Sequence, residues 1–118
     1  MQYILLIYGE EAIWEADPDV EQKMADYGTF ADELRAQGKL LAGEELGPVA
    51  TATTVHVRDG ETVVSDGPFA ATKEVLGGYF AIDAESLDEA IEWAAKIPDA
   101  RLGKIEIRPL VDHSGAGA

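Results

Sequence analysis

The sequence predicts an α+β domain in which two helices cover one face of an antiparallel β-sheet. Strand-forming segments alternate with two segments whose apolar residues recur at helical spacing, in the order strand–helix–strand, hairpin, strand–helix–strand. The chain has 118 residues, enough for one domain with its own hydrophobic core, and no repeat or linker divides it. We therefore interpret residues 1–118 as a single domain, with a frayed tail at residues 112–118.

The first strand is predicted at residues 2–8, QYILLIY, which are mostly strand formers. Its two alternating sets of side chains are both apolar, so it requires cover on both faces. The segment after it, GEEAIWEADPD at residues 9–19, is predicted as a loop whose last residues include the start of a helix.

The first helix is predicted to begin at Asp17 and Pro18, which suit the N-cap and the first helical position. It is expected to run to about Gln37 and to stop at Gly38. The residues that recur at helical spacing predict its buried stripe, which consists of Val20, Met24, Tyr27, Ala31 and Leu34.

The middle of the chain is predicted to be β-structure. The segment GKLLAGEEL predicts a second strand, ended by a Gly-Pro pair. Residues 51–66 alternate around Asp59-Gly60, a dipeptide typical of a two-residue hairpin turn. The segment GYFAIDA predicts a further strand.

The second helix is predicted to begin at a capping box formed by Ser86 and Glu89 and to end at Pro98. Its buried face is predicted to consist of Leu87, Ala90, Ile91 and Ala94. Trp93 falls off this stripe and is expected to be available to a partner. The last strand, KIEIRPLV, then completes the chain's regular structure.

Without the hairpin, this order is the split βαβ pattern of a ferredoxin-like fold. Both helices then lie on one face of the sheet and the other face is bare. Because the first strand is apolar on both sides, we expect a second copy of the chain to cover the bare face. The prediction is a ferredoxin-like sandwich with an inserted β-hairpin, which dimerises into an α+β barrel with a ligand pocket between the sheets.

The charge balance excludes some classes of partner. Asp and Glu number 23 against 9 Lys and Arg, for a net charge of −14. Nucleic acids and anionic membranes both require a basic surface, so neither is an expected partner. The apolar run at the N-terminus is too short for a membrane span and lacks a basic flank, which favours a cytoplasmic location.

Strand alternation identifies candidate ligand-binding residues. The isoleucines of the last strand are expected to face the helices, and Glu106 and Arg108 then face the partner sheet, together with Tyr79. One interpretation is that Arg108 binds an anionic ligand. The other is that Glu106 and Arg108 form an ion pair at the dimer interface, since charges in such a place need partners.

The connection SDGPFAATKEVLGGYF is longer than a hairpin requires. Asp66 is interpreted either as a cap of the following turn or as an acid–base group, and Phe69 as an anchor that packs the loop down. Lys73 and Glu74 are interpreted either as a local surface ion pair or as ligand-binding residues. The Gly77-Gly78 pair predicts a bulge or a close backbone approach, with a ligand contact as the alternative.

No cofactor or metal site is predicted. The two histidines, His56 and His113, have no companions at metal-ligand spacing. The chain contains neither a phosphate-binding glycine loop nor a serine nucleophile elbow, and it has no cysteine.

The segments DGPFAATKEVLGGYFAIDAESLDEAIEWAAKIP, GKIEIRPL and GKLLAGEEL resemble the DGPF branch of the YCII-related domain family over nearly the whole chain. The resemblance implies a dimeric α+β barrel but no established reaction; some members occur beside sigma-factor-like regions. The other branch has a His in the first helix and an Asp near the end of the second, proposed as an active pair. The matching positions here are Tyr27 and Ile97, so the resemblance implies that this chain lacks the pair.

Three hypotheses on function follow. The first is a small homodimeric binding or regulatory domain with a small-molecule ligand. The second is an enzyme that acts on a small anionic metabolite, with Asp66 or Tyr27 as the proton-transfer group and Arg108 or Lys73 steadying the anion. The third is an interaction module for a transcription-related partner.

Overall fold

A computed structural model describes residues 1–114 of the chain, so the end of the predicted tail, residues 115–118, lies outside the described residues. The strands are β1 (Gln2–Gly9), β2 (Leu40–Glu45), β3 (Thr53–Arg58), β4 (Glu61–Asp66), β5 (Val75–Asp83) and β6 (Lys104–Pro109). The α-helices are α1 (Glu11–Glu15), α2 (Val20–Ala36) and α3 (Leu87–Ala95). Two short 3₁₀ turns lie at Val49–Thr51 and Pro98–Arg101.

The main sheet confirms the predicted ferredoxin-like arrangement. Its four strands lie in the order β2-β5-β1-β6 and every neighbouring pair is antiparallel. The two central strands are therefore β1 and β5, which come from the first and the second half of the chain. Around them the segments from both βαβ halves meet, so a side chain near residue 14 can lie beside one near residue 99.

The inserted hairpin forms a separate two-stranded sheet of β3 and β4. Asp59 and Gly60 both have positive φ angles, 50° and 78°, as the predicted two-residue turn requires. One face of the hairpin carries exposed Val55, Val57 and Val64. The described molecule is flat, with extents of 47 × 47 × 19 Å.

The core lies between the helices and one face of the sheet. Tyr3, Leu5 and Ile7 of β1 are buried there against Phe30 and Leu34 of α2. The Phe30 ring meets the Phe80 ring edge-on, with centroids 5.0 Å apart. Aromatic pairs of this geometry add to the free energy gained from apolar burial.

The predicted orientation of the second helix is wrong in part. Trp93 is buried and packs against Phe30, whereas Leu87 and Ile91 are about half exposed. The large indole buries more apolar area than either aliphatic side chain, so it sets the rotation of this short helix. Ser86 does accept a hydrogen bond from the backbone N–H of Glu89, so the predicted N-cap is confirmed. The return bond of the predicted capping box is shifted by one residue, because the Glu89 carboxylate accepts from the backbone N–H of Glu85 and not of Ser86.

The first helical region also differs from the prediction. Residues 11–15 form α1 instead of a loop, and α2 begins at Val20, two residues later than Pro18, the predicted first helical residue. Val20 and Met24 are about half exposed, since they border the cavity described below. Within residues 1–114, no helix is both long enough and apolar enough to span a membrane.

The second face of the sheet has no cover among residues 1–114. It carries the other side chains of β1, Ile4, Leu6 and Tyr8, which are only partly buried. Leu6 pairs with Tyr79 on one side and with Glu106 on the other, so Tyr79 and Glu106 both lie on this face as predicted. We call this surface the open face.

Candidate functional site

A cavity of about 490 Å³ lies where α1 and α2 meet β2 and β5, a volume typical of a site for a small molecule. It lies on the side of the sheet that the helices cover, and not on the open face. Much of its wall is apolar or aromatic and includes Ile7, Trp14, Met24, Tyr27, Leu46 and Phe80.

Asp99 is the polar centre of this cavity. It is only 6% exposed, and within residues 1–114 it is the only polar or charged residue in the buried class. Its Oδ1 accepts hydrogen bonds from Trp14 Nε1 and Lys23 Nζ, each at 3.1 Å, and its Oδ2 accepts from the hydroxyl of Tyr27. A buried carboxylate needs such partners, because losing its hydration without them costs several kcal/mol.

The four residues are brought together by helical spacing and by a turn. Lys23 and Tyr27 are four residues apart on α2, so their side chains share one helix face. Asp99 is the second residue of the 3₁₀ turn that Pro98 begins, and this turn aims its carboxylate back at α2. Trp14 comes from α1, the helix that sequence patterns did not predict.

A bulge in β5 seats the indole of Trp14. Ile7 pairs with Gly78 and Tyr8 with Leu76, so Gly77 is the extra residue. A Cβ on Gly77 would lie 2.6 Å from the Trp14 ring, closer than any real contact. The predicted bulge is therefore confirmed, and the glycine leaves the room that the ring occupies.

Gly78 meets a different neighbour. A Cβ at this position would lie 2.8 Å from the backbone oxygen of Glu44 on the adjacent strand. The predicted close backbone approach is therefore also confirmed. The two glycines thus have separate roles, one toward Trp14 and one toward β2.

The electrostatic setting of Tyr27 keeps its phenol protonated. Burial raises the pKa of Tyr27, and the adjacent Asp99 raises it further by hydrogen bonding and charge. The Glu45 carboxylate adds a smaller increase to the Tyr27 pKa. The phenol donates its hydrogen to Asp99, so its oxygen remains able to accept a hydrogen bond from a ligand.

Lys23 is held as firmly as Asp99. Its ammonium lies 3.1 Å from Asp99 Oδ1 and 3.5 Å from Asp17 Oδ2, and its side chain is 12% exposed. Among the residues that line the cavity, it is the only cation. Within residues 1–114, no three His, Cys, Asp or Glu side chains gather as metal ligands would.

The structure separates the two candidate proton-transfer residues. Tyr27 lies at the cavity, whereas Asp66 is the last residue of β4 in the hairpin. The predicted turn cap is absent, since the Asp66 carboxylate forms no hydrogen bond within residues 1–114. The turn is held instead by the backbone, where Gly67, with a φ angle of 90°, donates its N–H to the oxygen of Ala52 at 2.7 Å.

The loop after the hairpin also differs from its prediction. Phe69 is 91% exposed, so the interpretation of this side chain as an anchor is wrong. Lys73 and Glu74 do not pair with each other. Lys73 is exposed and lies 4.0 Å from Glu10, and Glu74 pairs with Lys104. With these contacts the loop is tied to the main sheet at its end and not at its centre.

The predicted ion pair on the open face is confirmed. Arg108 Nη2 lies 3.2 Å from Glu106 Oε1, and both side chains are about half exposed or more. Tyr79 lies on the same face, and the residue also borders the cavity. A ligand-binding role for Lys73, Glu74, Tyr79, Glu106 and Arg108 stays a prediction.

Tyr27 has an acidic partner that sequence matching missed. The comparison with the other branch pointed to Ile97, which is buried in the core and 1% exposed. The partner is Asp99, two residues later. The only signal in the sequence is an Asp directly after a helix-ending Pro, a pattern that ordinarily indicates a solvated turn.

The chain belongs to the YCII-related domain family, whose model matches residues 1–114. It is 39% identical over 115 residues to an uncharacterised protein, R00369, of Rhizobium meliloti (strain 1021), and the match covers 93% of this chain and 92% of that protein. Among solved structures it is similar to 5-chloro-2-hydroxyhydroquinone dehydrochlorinase (TftG) of Burkholderia phenoliruptrix AC1100, in complex with 2,5-dihydroxybenzoquinone. That match has a TM-score of 0.51 and 13% identity and covers 98% of each chain, so the likeness is one of fold.

Proposed function

We propose that this protein is a small-molecule-binding domain that takes its ligand in the cavity beside α2. The observation that carries the proposal is the buried Asp99 at the cavity wall, with three donors from two different helices directed at it. A carboxylate is costly to bury, and a chain that needed only a core would place an apolar residue there. The apolar wall gives affinity and the Tyr27–Asp99 pair gives orientation.

A second candidate function is proton-transfer catalysis in the same cavity. A ligand O–H that donates to the Tyr27 oxygen can pass its proton there while the phenolic hydrogen moves to Asp99. The ligand then carries the negative charge, Asp99 becomes neutral, and Tyr27 stays neutral throughout. The raised pKa of Tyr27 favours this relay over a phenolate base. The fold-related dehydrochlorinase is an enzyme in complex with 2,5-dihydroxybenzoquinone, which supports an enzymatic role on a small molecule as a candidate here.

The test is a thermal-shift screen of small metabolites on the wild-type protein and two hydroxyl-deletion variants. Ligands of the cavity raise the melting temperature of the wild type and lose most of this effect in Tyr27→Phe. Tyr3→Phe is the matched control, because it deletes a hydroxyl from a buried tyrosine in the core outside the cavity lining. Turnover of a hit by the wild type but not by Tyr27→Phe favours the enzyme. A ligand that stabilises wild type and Tyr27→Phe equally contradicts the proposed site.

We also propose that the open face pairs with a second copy of the chain. Its apolar centre, Ile4, Leu6 and Tyr8, has no cover within the described residues, and the Glu106–Arg108 pair lies beside it. An obligate dimer of this kind buries roughly 2,000 Å² or more. A pure interaction module for a transcription-related partner remains the third hypothesis, which a dimer without any small-molecule ligand would favour.

A further inference from the structure

We infer that the cavity selects uncharged ligands that carry a hydroxyl or N–H donor, and that it discriminates against carboxylates and other anions. The inference rests on the proposed function, since it concerns the occupant of the same cavity. It differs from the hypothesis of an anionic metabolite, which the basic residues on the open face and the loop suggested. The charges that line the cavity itself carry the argument.

The cavity lining is strongly acidic. One ammonium, Lys23, stands against four carboxylates, which gives a formal balance of −3; the carboxylates are Glu11, Glu15, Glu45 and Asp99. Glu44 also borders the cavity, but it pairs with Tyr79, so its side chain lies on the open face. The chain as a whole adds to this field with a net charge of −14. An anion that enters the cavity is therefore repelled by this negative potential, and the repulsion is strongest at low ionic strength.

The one cation of the lining is not free to receive an anion. Lys23 lies between Asp99 and Asp17 and its side chain is almost buried. An anionic ligand that recruited it would have to leave Asp99 buried without its charge partner, which is strongly unfavourable. Arg108, the fork-shaped cation of the open face, is not among the residues that line the cavity and pairs with Glu106.

The hydrogen-bonding groups set the second requirement. Trp14 and Tyr27 each direct their only side-chain hydrogen at Asp99, so neither can donate to a ligand without breaking that bond. The Lys23 ammonium donates to Asp99 and lies 3.5 Å from Asp17, so two carboxylates already compete for its hydrogens. The Tyr27 oxygen still has acceptor capacity, and the nearby Glu45 carboxylate is acceptor-only. A ligand matched to these groups offers an O–H or N–H.

A cationic ligand is disfavoured for another reason. Its charge would be attracted by the acidic rim, but to reach Tyr27 it must lose its hydration against Trp14, Met24 and Phe80 and lie close to the Lys23 ammonium. An uncharged donor avoids both costs. The class is therefore neutral, largely apolar and hydroxyl- or N–H-bearing.

The test uses three probes with the same ring and different charge: benzyl alcohol, benzoate and benzylammonium. Each is titrated into isotope-labelled protein at low salt, and the resonances of the Trp14 indole and the Tyr27 amide are followed. We expect benzyl alcohol to bind at least ~10-fold more tightly than benzoate, since close charges cost this much even when partly screened. The difference should shrink as salt is added.

Two variants locate the discrimination. Glu45→Gln should improve benzoate binding several-fold with little effect on benzyl alcohol, because it removes a charge near Tyr27. Glu92→Gln, a matched change at an exposed position on α3 away from the cavity lining, should leave the ratio unchanged. Benzoate or benzylammonium binding as tightly as benzyl alcohol overturns the inference but leaves the site. If none of the three shifts the Trp14 or Tyr27 resonances, both the proposed function and the inference fail.

Discussion

Trp14 donates its indole N–H to Asp99 across 3.1 Å, although the two residues lie 85 positions apart in the chain. This bond ties the short helix α1 to the turn that follows α3. Because α1 has only five residues and no side chain in the buried class, it depends on such side-chain bonds, of which the other is the one that the Glu11 carboxylate accepts from the backbone N–H of Val49. The shape of the cavity therefore depends on the space that Gly77 leaves for the Trp14 ring.

Replacing Gly77 by Ala should fill the space that the Trp14 ring occupies. The new methyl would lie 2.6 Å from the Trp14 ring, so the indole must move, and we expect a loss of ~1–3 kcal/mol in the free energy of unfolding together with a change in Trp fluorescence. Gly28→Ala is the control, since a Cβ there meets nothing within 4 Å and lies within α2. It should stabilise the protein by up to ~1 kcal/mol. Equal effects of the two variants in urea denaturation would contradict the packing account.

Asp99→Asn should destabilise the fold far more than a surface change of the same kind. It leaves Lys23 buried with only the more distant Asp17, and we expect a loss of ~3 kcal/mol. Asp32→Asn, which breaks the exposed pair with Arg35, should change stability by less than ~0.5 kcal/mol. Urea unfolding of both variants measures the contrast. If Asp99→Asn leaves the free energy of unfolding unchanged, the Asp99 carboxylate is not the charged centre of the site.

The acid sensitivity of the fold should depend in part on Glu89. The pKa of Glu89 is lowered to about 2, first by the backbone N–H of Glu85 and then by hydrogen bonds from Lys39 and from the indole of Trp93. A lowered folded-state pKa gives stability that is present above the ordinary Glu pKa, near 4.5, and is lost as pH falls toward 2.

Melting temperatures measured between pH 6 and pH 2 check this dependence. Wild type should lose stability over the window below about pH 4.5, and Glu89→Gln should start lower and fall less steeply. Glu92→Gln, on the exposed side of the same helix, should follow the wild-type curve. Parallel curves for wild type and Glu89→Gln would show that Glu89 is not responsible.

A charge at the centre of the open face should separate the proposed dimer. Leu6→Lys places an ammonium where the sheets would meet, and we expect light scattering at low micromolar concentration to give half the mass of the wild type. Ile91→Lys, at a half-exposed position on α3, should not alter the mass. A wild-type mass of 12.6 kDa, that of one chain, would end the dimer proposal.

The strand pattern predicted the sheet well because alternation is a local rule. Once Leu5 is buried, Leu6 must face the other way, and its neighbours Tyr79 and Glu106 follow through the register. The helices were less predictable. Trp93 took the buried face from Leu87 and Ile91 because packing against Phe30 decides the rotation, and that neighbour is 63 residues away.

Of the four residues centred on Asp99, only Tyr27 was predicted as a site residue from the sequence. Its partner Asp99 is reached through the fold and not through spacing, and the only local signal, Pro98, is typical of any helix end. Trp14 lies in a helix of one turn, too short for a periodic pattern. The glycine pair was correctly interpreted as a bulge with close contacts, but its contact with Trp14 requires the tertiary structure.

The separateness of the β3–β4 hairpin has a consequence for how the chain reaches its native state. Its pairings join residues at most 13 positions apart, from Thr53 to Asp66, whereas Tyr3 in β1 meets Pro109 in β6 across 106 positions. Short loops close within microseconds, whereas contacts between distant residues form later because the entropy cost of closing a loop rises with its length. The β3–β4 hairpin can therefore form before the main sheet. By contrast, α1 and the turn at Asp99 come together only after β1 and β6 have paired. The cavity is consequently among the last parts of the molecule to be assembled, and a ligand that occupies it acts on the finished fold alone.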